Sequence, residues 1–107
     1  MRTTTVLATH EVEALARLGQ TVKLARLRRN LTQAEFAERM GVARPSVVAL
    51  EAGKPGVAVG ILLKAMSVLG YPERIGEIIA SDPIGDDIDV AMGRRRAGGA
   101  RARVEPF

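Results

Sequence analysis

The chain contains no cysteine, no tryptophan, one tyrosine and two phenylalanines. Without cysteine there is no disulfide framework, no thiolate zinc site and no thiol redox chemistry. With so few aromatics the core must be built from Leu, Val, Ile, Ala and Met. That favours small, closely packed helices over a sandwich or barrel. No apolar run approaches the roughly 20 residues of a membrane span, and Met1-Arg2-Thr3-Thr4-Thr5 leads into no signal-peptide core. The expectation is a soluble, cytoplasmic protein. Catalytic groupings are equally scarce. The single His10 has no Cys to pair with, and Asp82, Asp86, Asp87 and Asp89 lack the Gly and closing Glu of a calcium loop. Gly53-Lys54-Pro55-Gly56 lacks the spacing of a phosphate loop. The residues therefore predict no enzyme, no cofactor and no metal.

Charge, by contrast, is abundant and segregated. The net charge is +4 over 107 residues, a length that forms one domain and buries about two thirds of its unfolded surface. Between Arg17 and Lys54, eight basic residues stand against Glu35, Glu38 and Glu51. Between Tyr71 and Gly93, Arg74 stands against six acidic residues, and the last fourteen residues carry five Arg and one Glu. This pattern suggests a basic nucleic-acid face, an acidic patch and a basic tail.

The basic half holds the most informative stretch, Thr32 to Glu51. Thr32 is a good N-cap, and Glu35 three residues on completes a capping box. Phe36, Ala37 and Met40 share one helical face. Gly41 follows, suited to the left-handed turn that ends a helix. A second helix restarts at Ala43 or Arg44, with Pro45 in its first turn and Val47 and Leu50 pointing inward. Two helices joined by a short Gly turn form a helix-turn-helix, whose second helix enters the DNA major groove.

Around this motif, residues 1–8 read as a frayed arm. Val12, Leu15, Leu18, Val22 and Ala25 recur at helical spacing from Thr9 or His10 onward, with Glu11, Glu13, Arg17, Lys23 and Arg26 on the opposite side. Gly19 weakens this helix by roughly 1 kcal/mol relative to Ala and is expected to divide it, leaving Gln20–Arg29 as the second piece. Asn30 ends that helix and Leu31 turns back into the core. Arg26, Arg28 and Arg29 form a basic cluster, read either as a solvated helix end that suits the dipole or as a phosphate contact. After the loop Lys54-Pro55-Gly56, a helix is predicted over Val59–Leu69, with Val59, Leu62, Leu63, Met66 and Leu69 facing the core. Gly70 ends it, and a fifth helix starting at Tyr71-Pro72 turns Ile75, Ile78 and Ile79 inward. Ser81–Gly85 is read as a turn around Asp82-Pro83, and Asp86–Met92 as a short strand or marginal helix. Residues 94–107, rich in Arg, Gly and Ala, have no hydrophobic period and are expected to be flexible in isolation. The domain reading is thus an arm (1–8), a helix-turn-helix domain (9–80) and a C-terminal extension with an Arg-rich tail (81–107).

Residues Leu31 to Gly53 resemble the lambda-repressor-like (Cro-type, XRE) DNA-binding domains. Gln33, Ala37, Gly41, Val42, Val47, Leu50, Glu51 and Gly53 all sit in that family's register. The likeness extends back over Leu18–Asn30 and forward over Pro55–Leu69. It implies an all-α, five-helix lambda-repressor-like domain, and it adds Gln33 as a phosphate or base contact. The run from Leu50 through Met66, with Leu69-Gly70 and Asp82-Pro83-Ile84-Gly85, is similar to HipB-like antitoxins. That finer resemblance implies a HipA-like Ser/Thr kinase toxin as partner and autoregulation of the operon.

The docking geometry aims Arg44, Pro45, Ser46, Val48 and Ala49 at base edges. Among them Arg44 is the residue able to make a bidentate contact with guanine, while Val48 and Ala49 offer methyl contacts. Pro45 stands where many relatives place a polar reader, so direct readout leans on Arg44 and on DNA shape. Thr32 presents a hydroxyl or backbone N–H to phosphate, and Arg28 and Lys54 are further candidate DNA contacts. Arg94, Arg95, Arg96, Arg101 and Arg103 are candidates for DNA or an acidic partner surface. The expected function is a dimeric, nucleoid-associated, sequence-specific repressor of double-stranded DNA, the antitoxin of a kinase pair. A stand-alone regulator and a protein-interaction adaptor without a specific operator are the competing readings.

Overall fold

The computed structural model describes residues 6–93, and all its regular elements are helical. They are α1 (Thr9–Arg28), α2 (Gln33–Met40), α3 (Arg44–Glu51), α4 (Val59–Leu69), a 3-10 segment (Pro72–Glu77) and α5 (Pro83–Ala91). By contact they form two compact units, one ending at Ile75 and one beginning at Gly76. Residues 1–5 of the expected arm (1–8) and the whole of the expected tail (94–107) lie outside the described residues.

In the first unit α1, α2, α3 and α4 pack on one another around Val22, Leu31, Phe36, Ala37, Met40, Val47, Leu50 and Ala65. Of the expected core, Val22, Leu31, Phe36, Val47 and Leu50 are buried. Leu62 packs against the cluster half-buried, and Met66 is also half-buried. Phe36 and Val47 are fully enclosed. Because the core is made of short side chains, the helices approach closely, and this explains the first departure from expectation. Gly19 does not divide the leading helix: α1 runs unbroken through it. A Cβ at Gly19 would overlap the Glu51 carbonyl and lie 2.8 Å from that of Leu50. The glycine is where α1 crosses the end of α3.

That crossing rotates the buried stripe of α1. Gly19, Val22 and Arg26 are inside, whereas Val12 and Leu18, assigned to the core face, are exposed. The stripe of α4 is likewise turned by one residue. Ile61, Leu62, Ala65, Val68 and Leu69 face or enter the core, while Val59 and Leu63 are exposed. This helix is apolar nearly all round, so its periodicity could not choose between faces.

Helix α2 ends as its sequence requires. Gly41 adopts φ +75°, Val42 N–H donates to the Ala37 carbonyl at 3.0 Å, and Gly41 N–H to that of Glu38 at 3.1 Å. This paired closure is the Schellman arrangement. Asn30, at φ 57°, closes α1 with the same pairing.

The fifth α-helix is not where it was expected. Residues Pro72–Glu77 form a 3-10 segment, where the Arg74 guanidinium lies 4.0 Å from the Tyr71 ring centroid. Ile78 and Ile79 are exposed rather than inward. In the second unit Asp82 caps α5, its carboxylate accepting from Gly85 N–H at 3.0 Å, with Pro83 in the first turn. Asp82-Pro83 therefore starts a helix rather than an isolated turn, and most of Asp86–Met92 is helical. Ile84, Ile88 and Met92 on this unit are exposed.

Candidate nucleic-acid interface

Helices α2 and α3 are each eight residues long, joined by the Gly41 turn. The start of α2 is set by a reciprocal pair: Glu35 N–H donates to Thr32 Oγ1 at 3.0 Å, and Thr32 N–H donates to Glu35 Oε1 at 2.8 Å. The Thr32 backbone N–H, expected to serve a phosphate, is thus already engaged. Hydrogen bonds from Thr32 hold the Glu35 carboxyl below the usual glutamate value. The Thr32 backbone contributes most, then its hydroxyl, then the charge of Arg39.

Helix α3 presents its N-terminal end outward. Arg44, Pro45 and Val48 are exposed, and Ser46 and Ala49 half-buried. Val47 and Leu50, on the opposite face, anchor it in the core. Lys54, past the end of α3, lines an open depression of about 310 Å³ together with Pro45, Ser46 and Ala49. One surface therefore carries Arg44, Pro45, Ser46, Val48, Ala49 and Lys54.

The basic cluster at the end of α1 separates into three roles. Arg26, read as part of the solvated face, is buried, because its partner comes from α3. Its Nε donates to Glu51 Oε2 at 2.7 Å, its Nη2 to Glu51 Oε1 at 3.0 Å and its Nη1 to the Leu31 carbonyl at 2.7 Å. The Glu51 hydrogen bond, aided by its charge, raises the Arg26 value despite burial. Arg29 donates to the Ala25 carbonyl at 2.8 Å and, across to α4, to the Leu69 carbonyl at 2.9 Å. Arg28 is exposed, and neither a buried carboxylate nor a backbone carbonyl holds it among the hydrogen bonds of the described residues.

Gln33 bridges the buried pair and the exposed arginine. Its Nε2 donates to Glu51 Oε1 at 3.1 Å, and its Oε1 accepts from Arg44 Nη2 at 3.3 Å. Glu51 was placed in the family register from sequence but given no part in the site. The signal that marks it is a carboxylate at the core end of a recognition helix, where a lone charge requires a partner. Arg94, Arg95, Arg96, Arg101 and Arg103 lie outside the described residues.

Among the described residues no group of three or more His, Asp or Glu could hold a metal ion. None of the described helices is long and apolar enough to cross a membrane.

A helix-turn-helix family model, HTH_3, matches residues 22–75, from the second half of α1 into the 3-10 segment. The chain is also similar to a protein of Sinorhizobium fredii named as an uncharacterized HTH-type transcriptional regulator. The two are 37% identical over 59 residues, which is 55% of this chain and 78% of that protein. With α2, the Gly41 turn and α3 inside the matched region, the chain belongs to the HTH_3 (XRE-type) helix-turn-helix family of DNA-binding regulators and has its lambda-repressor-like all-α fold.

Proposed function

We propose that this protein is a sequence-specific transcriptional repressor that reads double-stranded DNA with the exposed end of α3. The observation that carries the reading is that surface itself. Arg44 stands at the head of α3 beside Pro45 and Val48, the end of the second helix that faces base edges when such a motif docks in the major groove. Arg28 and Lys54 supply phosphate contacts that set orientation without reading sequence. The protein works as a homodimer, because one motif reads few base pairs and two half-sites lie about one helical turn apart. It has no catalytic role. Selection of duplexes from a random pool, followed by titration at several salt concentrations, tests this. A recovered inverted repeat bound more tightly than random DNA supports it, and equal binding of all duplexes leaves an adaptor.

The finer reading is an antitoxin. It rests on the resemblance of Leu50–Met66, Leu69-Gly70 and Asp82-Pro83-Ile84-Gly85 to HipB-like proteins, whose partners are HipA-like Ser/Thr kinase toxins. The acidic α5 and the Arg-rich residues after it are its candidate partner surfaces. Co-expression with the neighbouring gene product and size exclusion decide between this and a stand-alone regulator. One peak that still binds the selected duplex supports the antitoxin, and two separate peaks support a stand-alone regulator.

A further inference from the structure

Lys54 borders two depressions. One is the depression it shares with Pro45, Ser46 and Ala49 on the DNA-facing surface. The other, of about 230 Å³, opens between α1, the loop after α3 and α4. It owes its shape to Gly53. At φ +74° and with no side chain, Gly53 lets the loop meet α1 backbone to backbone. A Cβ there would lie 2.7 Å from the Leu15 carbonyl oxygen and 2.8 Å from Ala16 Cα. The chain then turns through Pro55-Gly56 and enters α4 at Val59. A gap remains between Leu15 and Leu18 on α1 and Val59 and Leu62 on α4. Every residue lining it is apolar or glycine except Lys54. Lys54 is exposed and has no carboxylate partner among the described residues.

We propose that this depression binds a medium-chain carboxylic acid, and that the bound acid is an effector which releases the protein from DNA. The proposal rests on the reading of Lys54 as a phosphate contact. An apolar lining with one placed charge is the make-up of a small-molecule site. A dry cavity of about 150 Å³ holds benzene, so this one takes a chain of roughly eight carbons. Burial of the chain supplies the attraction. The unpaired ammonium at the mouth selects a carboxylate over an alcohol or an amine. The Lys54 stem is flexible and its head a compact point charge, so it can turn to either depression. Turned to the carboxylate, it is lost to the DNA phosphate, and the acid adds a like charge on the same loop. Acid and duplex therefore oppose one another, each weakening the other by the same factor.

The test uses full-length protein, octanoate as the probe and 1-octanol as its uncharged control. In NMR titrations octanoate is expected to saturate a single site and to shift signals of Leu18, Lys54 and Val59, leaving those of Ile84 and Ile88 on α5 in place. Lys54→Met is expected to weaken octanoate at least threefold and to leave octanol unchanged. Leu18→Gln brings an amide into the site from a partly exposed position, with thermal unfolding to check the fold. It is expected to weaken both ligands at least fivefold and to keep duplex affinity without ligand. On the duplex that wild type selects from a random pool, saturating octanoate is expected to weaken binding at least threefold. Non-saturating shifts as large on α5 as at Leu18 overturn the site. Lys54→Met acting alike on octanoate and octanol overturns the carboxylate, and an unchanged duplex affinity overturns the effector role. If wild type takes up no octanoate and Leu18→Gln splits a dimer in sedimentation, the depression is an interface between copies and the proposal falls. If the pool enriches no sequence, the repressor reading fails and DNA release with it, while the octanoate titration decides the site on its own.

Discussion

Arg26 and Glu51 stand 25 residues apart in sequence and meet at 2.7 Å, with side chains 6% and 4% exposed. The pair joins α1 to the last residue of α3, so the orientation of the recognition helix depends on it. Desolvating two charges is costly, and the pair offsets that cost only while both members are present. Arg26→Met should therefore destabilise the fold by about 3–5 kcal/mol, since it strands a buried carboxylate. Replacing both residues by Met should recover most of that loss in chemical denaturation. A single variant as stable as wild type would mean that Glu51 finds water, not burial.

Gly19 supplies a prediction of opposite sign to its propensity. In an open helix, Gly→Ala is worth roughly +1 kcal/mol. At Gly19 the added methyl meets the carbonyls of Leu50 and Glu51, and overpacking of this kind costs about 1–3 kcal/mol. Gly60 in α4 is the control, because a Cβ there meets nothing within 4 Å. Urea midpoints should fall for Gly19→Ala and rise for Gly60→Ala.

Gly19 and Arg26 lie beyond what a local sequence pattern encodes. The α2–turn–α3 unit was legible because its signals are local: a cap and its partner three residues on, a left-handed glycine and a proline in a first turn. Gly19 and Arg26 are decided by residues on another helix, which no window along α1 contains. Read locally, one is a helix breaker and the other a solvated charge. Val59 and Leu63 were misplaced for a different reason: an all-round apolar helix has no polar face to orient it. Ile78 and Ile79 were assigned inward by spacing alone. At the candidate site, the exposed residues of α3 followed from motif geometry, whereas the link from Glu51 through Gln33 to Arg44 needs three elements in place.

The reciprocal cap at Thr32 predicts a pH dependence. Glu35 sits below its usual value in the folded state. Its contribution is thus present above the unfolded value of about 4.3 and is lost as pH falls through the lowered folded value. Glu35→Gln still accepts from the Thr32 N–H but does not titrate. The stability gap between wild type and Glu35→Gln should be constant above about pH 5.5 and close as pH drops below 4, followed by denaturation across pH 3–7. A gap that does not change with pH would show the carboxylate to be unengaged.

Arg44 and Arg28 should fail in distinguishable ways on DNA. Arg44 heads α3, and Pro45, Val48 and Ala49 around it have no side-chain donors. A bidentate contact to guanine discriminates against other bases by about 1–3 kcal/mol. Arg44→Ala should weaken binding to the selected duplex tenfold or more and relax preference at one base pair per half-site, with little change on random DNA. Arg28 is exposed at the end of α1, where the positive charge of a phosphate contact acts on every sequence alike. Arg28→Ala should lower affinity for selected and random duplexes by the same factor and reduce the salt slope by about one. Titrations of both variants at four salt concentrations separate the roles. If Arg44→Ala lowers affinity for both duplexes equally and takes one unit from the salt slope, Arg44 is a backbone anchor, and base preference must come from Ser46 or from DNA shape.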